Sequence, residues 1–241
     1  MLWSDGFRLT CVFNEEQNII QTIIICRSIS KYVAAKSLKT MINTIIFDLG
    51  GVLIDWSPLY VYKTLIPDEE RRKFFFENIC TGHWNEQQDG GRNWAEATAL
   101  LIAAYPEWES EIRAFYDQWE GMLKGAIDGT VEILRELRQR KDLKIYALTN
   151  WSAETWPVAL RRFEFLAWFD GILVSGIEHT RKPFPEIYQL LLNRYQIQAE
   201  NAIFIDDVLK NIEAAQTQKI NGIQFLSPQQ LREDLIKIGV L

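Results

Sequence analysis

Three places in the chain put chemically capable side chains beside short apolar runs. Asp48 closes Ile-Ile-Phe-Asp-Leu-Gly-Gly-Val-Leu (45–53), Thr149-Asn150 follows Lys144–Leu148, and Asp206-Asp207 follows Ala202–Ile205. A fourth segment, Thr180-Arg181-Lys182-Pro183, adds a lysine ahead of an apolar helical stripe. Three carboxylates, a hydroxyl and an amine suit phosphoryl transfer if they converge. A carboxylate is a competent nucleophile at phosphorus, and water can cleave the resulting acyl phosphate. Clustered carboxylates repel one another and a dianionic phosphate, so a hard divalent cation is needed among them, and Mg²⁺ favours oxygen ligands of this kind. Lysine and hydroxyl then hold the phosphate oxygens, where positioning and charge stabilisation do most of the catalysis. Singly these signals are weak, because an Asp after a strand is commonly a turn residue. Four of them in one order are far harder to reach by chance.

The elements that must position these residues alternate. Thr44–Phe47, Lys144–Leu148, Gly171–Val174, Ala202–Ile205 and Gly222–Phe225 are β-branched or aromatic runs of the length of buried parallel strands. Val131, Leu134 and Leu137 recur at helical spacing after Asp128 and Gly129, read as the cap of that helix. Ile187, Leu190 and Leu191 do so after Pro185, a first-turn residue, and Leu209, Ile212 and Ile220 mark a third helix. Such alternation predicts an α/β fold, a parallel sheet with helices on both faces. Ligands of such sheets bind beyond the carboxyl ends of the strands, where the residues above fall. Residues 58–125 break the pattern. They contain no good strand but hold helical stretches at Arg71–Cys80, Trp94–Tyr105 and Trp108–Leu123, divided by a polar loop at Thr81–Arg92.

At this level the sequence resembles the haloacid dehalogenase-like superfamily. Phe-Asp-Leu-Gly-Gly-Val-Leu (47–53), Ala-Leu-Thr-Asn (147–150), Arg-Lys-Pro-Phe-Pro-Glu-Ile-Tyr (181–188) and Phe-Ile-Asp-Asp-Val-Leu-Lys-Asn (204–211) match its four motifs in order, from Met41 to the C-terminus. The resemblance implies a doubly wound, Rossmann-like sheet of residues 41–57 and 126–241, with an inserted helical C1-type cap at 58–125. It implies Asp48 as nucleophile, Thr149 and Lys182 as phosphate binders, and Asn150, Gly50 and Gly51 as substrate contacts. Mg²⁺ would be held by Asp48, Asp206, Asp207 and the backbone carbonyl of Gly50. The expected activity is hydrolysis of a small phosphorylated metabolite of sugar-phosphate type.

Two positions depart from the superfamily pattern. The usual first motif is Asp-x-Asp, its second Asp transferring protons, and here that position is Gly50. General acid–base catalysis is worth about 10²–10⁴-fold, so its loss slows turnover without abolishing it. Asp55 is a candidate replacement, set against its reading as a turn residue before Trp56-Ser57-Pro58. Asn211 stands where the fourth motif often has Asp, either orienting a carboxylate or capping the local loop. His83, Gln87, Gln88, Asp89 and Arg92 are candidate specificity residues in the Thr81–Arg92 segment, and Trp56 and Trp151 are candidate walls of a substrate pocket. Two alternatives accompany the phosphatase reading. A metal-free 2-haloacid dehalogenase resembles Asp-x-Tyr-Gly-Thr in its first motif and has no use for Asp206 and Asp207. A catalytically weak binding protein is suggested by Gly50.

Composition narrows the partners. With 26 basic against 32 acidic residues, net charge −6, the chain has no electrostatic footprint for nucleic acid. No apolar run has the length to span a bilayer, and Ile23–Cys26 is too short for a secretory core. Cys11, Cys26 and Cys80 are odd in number and widely spaced, reading as thiols in a reducing cytoplasm. Residues 1–40 lie outside the alternating pattern and read as an extension, with Met41 a candidate initiator. The oligomeric state stays open.

Overall fold

The computed structural model describes residues 42–241. Cys11, Cys26, Ile23–Cys26, the 1–40 extension and the Met41 start lie outside the described residues. Five parallel strands, β1 (Thr44–Phe47), β4 (Lys144–Thr149), β5 (Gly171–Val174), β6 (Ala202–Asp206) and β7 (Asn221–Gln224), pair in the order β5-β4-β1-β6-β7. All five coincide with the apolar runs to within a residue. The order places β1 at the centre, with strand neighbours on both sides.

Burial of both sheet faces explains why these strands read as unbroken apolar runs. Ile45 and Phe47 of β1, Ile145 and Ala147 of β4, and Ile203 and Ile205 of β6 face one core cluster. It is shared with α6 (Asp128–Leu137), α7 (Trp156–Arg162) and α11 (Pro228–Lys237). The intervening Ile46, Tyr146, Leu148, Ala202 and Phe204 face a second cluster, with α9 (Pro185–Tyr195) and α10 (Leu209–Thr217). Side chains alternating between two covered faces define a doubly wound sheet. Each fully buried Ile or Phe contributes about 1.5–3 kcal/mol of transfer free energy.

Between the first two parallel-sheet strands the chain makes a second layer. β2 (Ile54–Trp56) and β3 (Leu123–Ala126) pair antiparallel. Between them run α1 (Leu59–Leu65), α2 (Glu69–Asn78), α3 (Gly82–Asp89), α4 (Trp94–Ala104) and α5 (Glu109–Asp117). A short α8 (Ser175–Glu178) follows β5. Four sequence expectations differ from the structure. Leu123–Ala126 is a strand whose partner lies about seventy residues earlier. Gly82–Asp89 is a helix rather than a loop, begun by Thr81, whose Oγ1 accepts from the Trp84 amide at 3.0 Å. Asp128 does not cap α6: it is the first helical residue, and Ile127 holds the cap position without a side-chain bond. Pro185 does occupy the first turn of α9, whereas α10 ends at Thr217, before Ile220.

Candidate active site

Register decides which strand-end residues meet. Phe47 is level with Ala147 on one side and Ile205 on the other, so one step further Asp48 lies beside Leu148 and Asp206. The Asp48 amide continues the ladder by donating to the Ile205 carbonyl at 2.8 Å. Lys182 arrives from the segment before α9 and is 1% exposed. Its Nζ lies 2.8 Å from Asp48 Oδ2 and 2.6 Å from Asp206 Oδ2. One ammonium thus bridges the ends of two adjacent strands.

Each member of this cluster is held by a further bond. The Leu49 amide donates to Asp48 Oδ1 at 2.7 Å. Asp206, fully buried, accepts from the Val208 amide at 2.8 Å and from Asn211 Nδ2 at 3.0 and 3.1 Å. Asn211 therefore orients a carboxylate, the first of the two roles read for it. Asn150 brackets Lys182, its Oδ1 accepting from the Lys182 amide at 2.9 Å and its Nδ2 donating to the Lys182 carbonyl at 3.0 Å. Among the described residues Thr149 Oγ1 finds no hydrogen-bond partner, and it is a buried polar atom that a bound phosphate oxygen would satisfy.

Charge balance follows the geometry. Burial pushes the Asp48 carboxyl up, Asp206 and Asp207 add to the rise, and Lys182 opposes it. Burial pulls the Lys182 ammonium down, but Asp206 and Asp48 outweigh it and hold it above its usual value. Asp207 is also raised, by burial and by Asp206. Three carboxylates against one ammonium leave a negative site. Asp48, Asp206 and Asp207 each offer an oxygen, all within 4.8 Å of one another, a hard-donor set suited to a divalent cation. Gly51 makes room for the Asp207 carboxylate. Its φ is +73°, and a Cβ there would lie 2.8 Å from Asp207 Cγ. At Gly50, by contrast, a Cβ would meet nothing within 4 Å.

A cavity of about 70 Å³ opens beside this cluster, lined by Gly50, Asn150 and Trp151 from the sheet side and Asn85, Asp89 and Trp119 from the inserted layer. Trp56 of β2 completes the wall, so both tryptophans singled out in the sequence line it. The buried Trp56 and Trp151 Nε1 atoms have no partner among the described residues. Of the candidates His83, Gln87, Gln88, Asp89 and Arg92, Asp89 alone lines the cavity. His83 is exposed and faces Gln87 across 3.4 Å. Gln88 and Arg92 bond to each other and to the Trp84 carbonyl. Asp55 is a strand residue rather than a turn residue, and its carboxylate accepts from Tyr60 Oη at 2.7 Å and pairs with Lys124 at 3.6 Å, which removes it as the missing proton donor. Asn85 and Trp119 were not singled out for the site. Thr81 as a helix cap is the signal that would have turned Asn85 and Asp89 onto one face.

A doubly wound sheet with helices inserted after its first strand, and three carboxylates and a lysine gathered at its strand ends, define a class of α/β hydrolase. The haloacid dehalogenase-like hydrolase profile matches residues 42–217, and the chain belongs to that family. It is 31% identical over 188 residues to the sesquiterpene phosphatase astK of Aspergillus oryzae, covering 77% of this chain and 91% of that one. It is 24% identical to a phosphorylated carbohydrates phosphatase of Thermotoga maritima, over 75% of this chain and 83% of that one. The drimenol cyclase drtB of Aspergillus calidoustus, 25% identical, is a longer protein, of which the match spans 37%. A family enzyme of Bacteroides thetaiotaomicron, solved with magnesium and inorganic phosphate, shares the fold with a TM-score of 0.58 at 21% identity, covering 77% and 95% of the two chains.

Proposed function

We propose that the protein is a Mg²⁺-dependent phosphomonoester hydrolase working through an aspartyl-phosphate on Asp48. The observation that carries this reading is the bridge of Lys182 between Asp48 and Asp206, with an Asp207 oxygen close by. Asp48, Asp206, Asp207 and the Gly50 carbonyl would hold the cation, which when bound supplies the positive charge that lets a phosphate approach three carboxylates. Lys182 and Thr149 hold phosphate oxygens, and Asn150 fixes Lys182 in place. Asp48 attacks phosphorus, and water releases the phosphoryl group. Gly50 and Gly51 bring backbone close to the phosphate.

The named substrates of two relatives, a sesquiterpene and phosphorylated carbohydrates, bracket the substrate class. The indoles of Trp56, Trp119 and Trp151 form an apolar wall suited to a hydrocarbon chain or to the C–H face of a sugar. Residues 58–125 act as a cap over a core of 41–57 and 126–241. The reading is that of a cytoplasmic enzyme, in keeping with Cys80 as a buried free thiol, with a small phosphate ester as partner and no nucleic acid. Among the described residues, no helix is long and apolar enough to cross a membrane.

The test is hydrolysis of a panel of sugar, isoprenyl and aryl phosphates with Mg²⁺, with EDTA, and with Asp48→Asn. Release that requires Mg²⁺ and Asp48 supports the reading, and the preferred ester names the substrate class. Release from no ester by folded protein refutes it and makes 2-chloropropionate the next substrate to try.

A further inference from the structure

Expelling an alcohol from phosphorus calls for a proton at the leaving oxygen. Position 50 lines the cavity without a side chain, and the Lys182 ammonium is already divided between Asp48 and Asp206. The cavity's other polar side chains are the amides of Asn85 and Asn150, the indoles and the carboxyl of Asp89. Amides and indoles do not exchange protons in the working pH range. Among the described residues Asp89 is the one ionisable group lining the cavity.

Its placement is enforced from outside the inserted layer. Asp89 is the last residue of α3, and its backbone carbonyl accepts from the Ser175 hydroxyl at 2.5 Å. One turn earlier, Glu86 pairs with Arg181 at 3.2 Å and with Lys210 at 3.0 Å. Contacts from α8, from the segment carrying Lys182 and from α10 therefore pin the end of α3 over the sheet edge. Asn85 Nδ2 lies 3.3 Å from Asp89 Oδ2 and steers the carboxyl.

We infer that Asp89 is the proton-transfer residue of this hydrolase, delivered to the site by the inserted helix α3 instead of by the strand β1. The inference rests on the phosphatase reading above. An oxygen of Asp48 attacks phosphorus, the ester P–O bond breaks, and the departing oxygen keeps the electron pair and takes the Asp89 proton to leave as an alcohol. Water then attacks the acyl phosphate and yields a proton to the Asp89 carboxylate. The P–O bond to Asp48 breaks, returning its carboxylate, and phosphate departs with both side chains restored. The charges around Asp89 suit both halves. Burial, with Glu86 adding, pushes its carboxyl up to about 7, against Arg181, the Ser152 backbone N–H and Lys182, which pull it down. A group poised there gives and takes protons near neutrality.

The test is Asp89→Asn in the full chain with Mg²⁺, following first-turnover alcohol release from p-nitrophenyl phosphate and from an alkyl phosphate. A nitrophenolate leaves without help, whereas an alkoxide does not. The expected result is a loss of about 10²–10⁴-fold on the alkyl ester with a far smaller loss on the aryl ester. The parent's alkaline decline on the alkyl ester, with a midpoint near 7, should disappear in the variant. Equal losses on the two esters, or an unchanged pH profile, would overturn the role of Asp89. If Asp89→Asn does not fold, Asp89→Ser is read in the same way. A folded parent that turns over neither ester would overturn the phosphatase reading itself, while an active parent confines any failure to Asp89.

Discussion

Lys182 Nζ stands 2.8 Å from Asp48 and 2.6 Å from Asp206, so the residue assigned to bind phosphate also neutralises two carboxylates buried in the sheet edge. Removing one member of a buried ion pair strands the other's charge and costs about 3–5 kcal/mol. Lys182→Met is expected to lose stability on that scale in urea unfolding at neutral pH and to recover part of it in Mg²⁺. A variant as stable as the parent in EDTA would show that the carboxylates need no such counterion.

Gly51 and Gly50 are adjacent, yet they should respond oppositely. At Gly51 an L-residue pays about 1–2 kcal/mol for left-handed backbone, and its Cβ would press on Asp207. Gly51→Ala is therefore expected to destabilise the fold and weaken Mg²⁺ binding by calorimetry. Gly50→Ala enters open space and is expected to change stability by no more than about 0.5 kcal/mol in thermal unfolding. Equal effects at both positions would contradict this geometry.

Asn211 donates to both oxygens of Asp206 from inside the fold. Asn211→Ala leaves a buried carboxylate short of donors, at about 1–3 kcal/mol, and should weaken Mg²⁺ binding. Asn211→Leu, which also fills the space, should weaken it as much. Calorimetric titration of the two variants decides whether the hydrogen bonds or the packing matter.

Trp151 is buried against Trp119 and Trp156, lines the cavity and has an unpartnered Nε1. Trp151→Phe keeps an aromatic wall but removes that donor and part of the surface. It should change KM by a factor that differs between sugar and isoprenyl phosphates. Identical KM values across the ester panel would place Trp151 in the core alone.

The five strands of the sheet and the residues at their ends were legible because a strand buried on both faces is apolar throughout, as Ile45-Ile46-Phe47 is, and because ligands gather where such strands end. The β2–β3 pair was not legible. Three and four residues carry too little pattern, and Ile54 finds Ala126 only through the fold of everything between them. Helix α3 was hidden for another reason. Gly-His-Trp-Asn-Glu-Gln-Gln-Asp has almost no apolar period, and the helix is specified by the Thr81 cap and by packing of Trp84 on Phe115 and Tyr116. With the helix unseen, Asp89 is one polar residue among several, and the chemistry missing at Gly50 falls to Asp55, which the fold ties to Tyr60 and Lys124 instead.

The central claim is that Asp48 carries the phosphoryl group between substrate and water. Its most direct test is acid quenching during turnover with Mg²⁺, followed by mass spectrometry of the peptide containing Asp48. One added phosphoryl group is expected on Asp48, formed only with substrate and absent from Asp48→Asn, which should also be inactive. Phosphoryl found on another residue, or turnover retained by Asp48→Asn, would contradict it.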